Sequence, residues 1–167
     1  AIIAEVNGVE VDLVTPLADG SQVSIITSET DQGLETIRHS TAHILAQAVL
    51  ELYPGATFAI GPPIENGFYY DFDIPDGVAI KEEELEKIEQ KMRQIIQADQ
   101  AFVRGETTVE QALKIFSDHP YKCEIIESAD KSEVDDSETI SFYQNGDGFV
   151  DLCRGPHVPS TGKVAHF

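Results

Sequence analysis

The spacing of apolar and polar residues changes several times along the chain, and each change marks an element. Residues 2–6 and 9–14 are rich in β-branched side chains and flank Asn7-Gly8, a pair suited to a two-residue hairpin turn. Asp19-Gly20 predicts a second turn before residues 22–27, which alternate as a third strand. A polar connector, 29–33, leads into a helix. There Ile37, Thr41, Ile44, Leu45, Ala48 and Leu52 recur at helical spacing as an apolar stripe, until Pro54-Gly55 stops the helix. Residues 58–72 hold two glycines, two prolines and a dense aromatic run, which predicts strand, tight loop, strand. Residues 81–101 predict a long amphipathic helix with Leu85, Ile88, Met92, Ile95 and Ile96 on one face. Thr107 or Thr108 caps the next helix, with Glu110 or Gln111 completing a capping box. Val109, Ala112, Leu113 and Phe116 pack that helix, and His119-Pro120 ends it. Residues 121–127 read as a strand, 128–138 as a mobile acidic loop, and 139–144 with 149–153 as a hairpin across Asn145-Gly146-Asp147-Gly148.

This order of elements predicts an α+β fold, an antiparallel sheet with packed helices. It is preceded by a small β unit over residues 1–28, too short to bury a core alone. The first helix carries an anomaly. His39 and His43 are four apart, so they share a side, with Cβ atoms about 5–6 Å apart. That side lies nearly opposite the stripe, beside Ala46 and Leu50. A solvated face would carry Glu, Lys or Arg, so a cover that makes a pocket is expected. Asp151-Leu152-Cys153-Arg154-Gly155-Pro156-His157 is the natural cover. Two surface histidines would explain one such pair. The total decides otherwise: the chain has 5 histidines, and His39, His43 and His157 fall in these two clusters.

Length and composition narrow the setting. With 167 residues, 41% of them hydrophobic, the chain suits one domain of ordinary size with a small appendage. No apolar run approaches the roughly 18–20 residues that span a membrane, and no signal segment opens the chain. Two cysteines, Cys123 and Cys153, suit a reducing cytoplasm better than a disulfide framework. Ala1 and Phe167 look like cut ends, so an excised fragment is expected. The net charge of −19 has the wrong sign for a general nucleic-acid binder, so any such contact should be local and brief.

Three imidazoles and one thiol could hold Zn²⁺ tetrahedrally, or could do acid–base work without metal. Neutral histidine is a base near physiological pH, and Asp151 can fix its orientation. Lys122 and the backbone N–H groups around Gly155 could hold an oxyanion. Gly61 and the aromatic run beyond it could let a ligand approach and wall its pocket. The set suits ester hydrolysis. A G-x-S-x-G elbow, a P-loop and a G-x-G-x-x-G are all missing from the sequence.

Three motifs, Arg38-His-Ser-x-Ala-His43, Ile60-Gly-Pro-x-Ile-x-Asn-Gly-Phe-Tyr-Tyr-Asp71 and Asp151-x-Cys-Arg-Gly-Pro-His157, in this order closely resemble the N-terminal region of bacterial threonyl-tRNA synthetases. The resemblance runs essentially the whole length. It implies that residues 1–28 are part of that family's small β-grasp domain, called TGS, and that 29–167 are its editing domain, whose fold the alanyl-tRNA synthetases share. It also implies hydrolysis of serine mischarged onto threonine tRNA, by water attack on the aminoacyl ester. Serine lacks only a methyl, a difference worth about 1–3 kcal/mol, so a second hydrolytic sieve is needed. In the full-length protein, domains beyond Phe167 would join threonine to that tRNA with ATP.

Carried over by position, His39, His43, Lys122, Asp151, Cys153 and His157 are expected to be catalytic, and Tyr70, Gly61 and Arg154 to bind substrate. The implied partners are the acceptor end of tRNA(Thr) and the rest of the synthetase, with no membrane, a cytoplasmic setting and a homodimer only at full length. No cofactor is expected. The alternative is zinc at His39, His43, Cys153 and His157, as in the alanyl relatives. If Lys122 points into the pocket, its ammonium repels a dication, which favours water activated by His39. A non-catalytic tRNA-binding module and a free-standing editing factor are the other readings.

Overall fold

The computed structural model describes residues 1–77, 79–128 and 139–167. Its first sheet is a three-stranded antiparallel unit in the order β2-β1-β3, from β1 (Ile3–Val6), β2 (Val9–Val11) and β3 (Val23–Ile26). Asn7 (φ 52°) and Gly8 (φ 85°) make the hairpin turn between Val6 and Val9, as their left-handed preference predicts.

The long helix α1 (Asp31–Leu52) follows. It starts inside the predicted connector because Thr30 caps it, its hydroxyl accepting from Gly33 N at 3.1 Å. Past it lie two short antiparallel pairs, β4 (Thr57–Phe58) with β7 (Phe72–Asp73), and β5 (Pro63–Ile64) with β6 (Gly67–Phe68). Next comes α2 (Glu82–Gln97), and the amide of Lys81, the residue capping its start, donates to the Glu84 carboxylate.

The second three-stranded sheet, β10-β9-β8, backs the molecule. It comprises β8 (Phe102–Thr108), β9 (Thr139–Asn145) and β10 (Phe149–Leu152), all antiparallel. The pattern of residues 102–108 predicts no strand, yet β8 pairs with β9 along its whole length, from Phe102 opposite Asn145 to Thr108 opposite Thr139. Its polar FVRGETT run is stable as an edge strand because the partner strand supplies the burial. Thr108 then caps α3 (Val109–Ile115) by accepting from Gln111 N.

The expected strand at 121–127 is instead a helix, α4 (Pro120–Glu127). Pro120 at its first position has φ preset for helix, and the His119 carbonyl accepts from Lys122 N and Cys123 N. That local chemistry outweighs the β-branched Ile125-Ile126. The expected loop at 128–138 lies, beyond Ser128, outside the described residues.

The core is organised around α1. Ala42, Ile44, Ala46, Ala48 and Val49 are all fully buried, so the helix is enclosed on every side over its middle, more than a single stripe predicts. One cluster joins Ile44 and Val49 to Met92 and Ile95 of α2, Phe102, Val158, Val164 and Ile2, Ile3 and Ile26 of the N-terminal sheet. On the side of Ala46 lie Phe58 and Phe149. A smaller cluster holds Ala112, Phe116, Ile126, Ile140 and Leu152 together.

Candidate active site

His39 and His43 point from α1 toward the segment that follows β10, which carries Cys153 and His157. The four ligand-type atoms of His39, His43, Cys153 and His157 lie within 4.8 Å of one another. Cys153 Sγ stands 3.3 Å from His39 Nε2 and 3.4 Å from His157 Nε2, and it accepts from Gly155 N at 3.2 Å. The Gly155 amide, a candidate oxyanion donor on sequence grounds, is therefore engaged by the thiol. Ser40 fixes the far side of His157: its hydroxyl accepts from Val158 N at 3.2 Å and lies 2.9 Å from His157 Nδ1. A hydroxyl so placed satisfies both neighbours by donating to Nδ1.

The charged half of the site is a buried pair. Lys122 Nζ lies 2.7 Å from Asp151 Oδ1, with side-chain exposures of 2% and 1%. Helix α4 aims Lys122 inward, where a lysine on a solvated strand would have pointed out. Its ammonium also sits 4.7 Å from the centre of the Phe58 ring, a favourable cation–π contact. The other carboxylate oxygen, Oδ2, accepts from Tyr70 Oη at 2.5 Å and lies 3.4 Å from His43 Nε2.

Burial alone would raise the Asp151 carboxyl, but Lys122, His43 and the hydrogen bonds from Lys122 and Tyr70 outweigh it and hold it below the usual value. Burial pushes the other way on the imidazoles. His43 is lowered to about 3, His157 well below its ordinary value and His39 below it, so all three are neutral at physiological pH.

These groups open on a cavity of about 250 Å³, lined by His39, His43, Tyr70, Lys122, Asp151 and Cys153 with the loop at Gly61. Pockets for drug-sized ligands run roughly 300–1,000 Å³, so this one suits a small acyl group rather than a whole nucleotide. Gly61 faces the Tyr70 ring so closely that a Cβ there would come within 2.1 Å of it. Arg154 is exposed at the rim. Every residue singled out from the sequence thus lies in or beside one cavity.

The profile of the threonyl and alanyl tRNA synthetase second additional domain matches residues 140–167. Over all 167 residues the chain is 47% identical to the threonine--tRNA ligase of Rubrobacter xylanophilus, covering 100% of this chain and 25% of that protein. It is 48% identical over 166 residues to the threonine--tRNA ligase of Clostridium tetani, covering 98% of this chain and 25% of that one. The chain belongs to the threonyl-tRNA synthetase family. It spans about a quarter of the length of the curated relatives it matches. The stretch that matches the domain shared by threonyl and alanyl tRNA synthetases contributes Asp151, Cys153 and His157, while His39, His43, Tyr70 and Lys122 lie outside it.

Three groups that shape this site have no role among the sequence expectations. Ser40 sits inside the first motif, and its place between two histidines was the available signal. Tyr143 and Asp12 gave none. The donor types also suit zinc: bonds of about 2.0–2.3 Å put tetrahedral ligands about 3.3–3.8 Å apart, and the two sulfur–nitrogen distances fall in that range, while the whole set spreads to 4.8 Å and would have to draw in. Because Asp151 neutralises Lys122, the repulsion expected of a bare ammonium is largely offset.

Proposed function

We propose that this chain is the editing portion of a threonyl-tRNA synthetase and hydrolyses the ester of seryl-tRNA(Thr). The single observation that carries the reading is the buried Lys122–Asp151 pair bordering the same small cavity as neutral His39. Water attacks the ester carbonyl carbon and its proton passes to His39. Lys122 steadies the developing oxyanion, and the proton then goes to the departing ribose oxygen. Asp151 orients Lys122 and His43. Cys153 and His157 hold the His39 ring through the sulfur, and Tyr70, Gly61 and Arg154 receive the aminoacyl end.

Residues 29–167 form the editing domain in this reading, and 1–28 are a partial TGS-like segment. The acceptor end of tRNA(Thr) and the rest of a cytoplasmic synthetase are the partners. The full-length enzyme would charge that tRNA with threonine and ATP, as a homodimer. A deacylation assay with serine or threonine on the same tRNA tests this: loss of serine with threonine spared supports it, and equal rates or none above buffer sink it.

A second reading has zinc held by His39, His43, Cys153 and His157, favoured by the closeness of their donor atoms. Bound there, the ion would supply Lewis acidity. Our preferred reading expects well under one zinc per purified chain and deacylation that survives chelation. Stoichiometric zinc, lost together with activity, would establish the second.

A further inference from the structure

Behind the candidate site, on the side away from the cavity, a carboxylate from the N-terminal β unit enters the molecule. Asp12 lies just past β2, half-buried, in a turn closed by Thr15 N donating to its carbonyl at 3.0 Å. Its two oxygens are used separately. Oδ1 accepts from His157 N at 2.9 Å, and Oδ2 accepts from Tyr143 Oη at 2.7 Å. One side chain therefore ties the segment after β10 to the middle of β9.

The group it holds has little freedom left. The His157 ring meets that of Tyr143 edge-on at 4.4 Å and stacks on Phe102 at 4.7 Å, with 7° between the planes. Gly155 packs against the same Tyr143 hydroxyl, and a Cβ there would lie 2.0 Å from the oxygen. Burial and then Asp12 itself raise the Tyr143 phenol above its ordinary value, so its proton stays available to donate. Backbone, ring plane and Nδ1 of His157 are fixed by Asp12, by Tyr143 with Phe102, and by Ser40. What remains is Nε2, directed at Cys153.

We propose that Asp12 is a positioning residue for hydrolysis, clamping the His157-bearing segment so that Cys153 and His39 stay aligned at the cavity. This rests on the editing reading above. Asp12 touches no substrate, so its effect runs through the imidazole network and belongs to the chemical step. Alanine at this position leaves both the His157 amide and the Tyr143 hydroxyl without their acceptor, whereas an amide keeps both contacts by accepting from His157 N and donating to Tyr143 Oη.

The test compares the 167-residue chain with Asp12→Ala and Tyr143→Phe variants in single-turnover deacylation of seryl-tRNA(Thr). Amide hydrogen exchange at His157 and the tautomer of its ring, read by NMR, are followed in parallel. Asp12→Ala is expected to slow the rate constant at least tenfold with half-saturation unchanged, and to speed exchange at the His157 amide at least tenfold. Tyr143→Phe should do the same more weakly. An Asp12→Ala chain within twofold of the parent in rate, or with His157 exchange unchanged, overturns the proposal. Exchange is measured without substrate. An inactive parent chain would therefore defeat the editing reading, while the exchange result still decides whether Asp12 holds the segment.

Discussion

In the editing reading, stability and chemistry both turn on the buried Lys122–Asp151 pair. Removing one partner of a buried ion pair leaves the other desolvated and unpaired, at about 3–5 kcal/mol, whereas replacing both with apolar groups is often neutral. Lys122→Met should therefore lower the urea unfolding free energy by about 3 kcal/mol or more and abolish deacylation. Lys122→Met combined with Asp151→Leu should recover most of the stability and none of the activity. Recovery of hydrolysis in the double variant would show that the pair is only structural.

The buried imidazoles make a second prediction. His43 has a folded value of about 3 against an ordinary 6.5, so the unfolded chain takes up the proton first as pH falls. Between those values the unfolded state binds more protons, and stability falls with pH through that window. Asp151 adds to the loss below its ordinary value of 3.8, down to its lowered folded value, because in that window only the unfolded carboxylate takes up a proton. Cooling of the thermal midpoint by about 4–8 °C between pH 6.5 and 5 is expected, since about 1 kcal/mol shifts a chain of this size by roughly 2–4 °C. His43→Asn should shallow that slope without flattening it, because His39 and His157 are lowered too. An unchanged slope would show that His43 is not buried neutral.

Elements were legible in the sequence where local chemistry and burial agree. The Asn7-Gly8 hairpin, the α2 stripe and the β9–β10 hairpin follow directly from turn residues and period. Where the two disagree, the sequence misleads. Strand β8 is polar on its exposed positions and declares itself only through its pairing with β9. Helix α4 carries β-branched residues, yet its Pro120 start decides, and that choice turns Lys122 inward. The composition of the site was readable from the motifs, but the contacts at its back were not. Asp12 and Tyr143 are ordinary residues until the fold brings them to His157.

The start of α1 offers a test free of the site. Thr30→Ala removes the hydroxyl that accepts from Gly33 N and should cost about 1 kcal/mol of stability, with deacylation unchanged. A loss of activity beyond what the melting shift explains would mean that the helix start also sets the His39 position.

At the scale of the whole molecule, charge governs how substrate is met. With 30 acidic and 11 basic residues, the surface repels a phosphate backbone everywhere except at local contacts. Binding of tRNA by this chain alone should be weaker than micromolar at physiological salt and should weaken further as salt rises, because the few contacts formed release counterions. Filter binding across about 50–200 mM salt checks this. Submicromolar affinity at the upper end would reveal a basic surface that the composition hides.

The bond from Asp12 to His157 spans 145 positions of sequence. During synthesis at about 5–20 residues per second, Asp12 leaves the ribosome well before its partner exists. Val158 and Val164, which share a core with Ile2, Ile3 and Ile26, are likewise made long after them. The candidate site is consequently incomplete until residue 157 has been made, and a nascent chain stalled before that point lacks the fourth member of the His39, His43, Cys153 and His157 cluster.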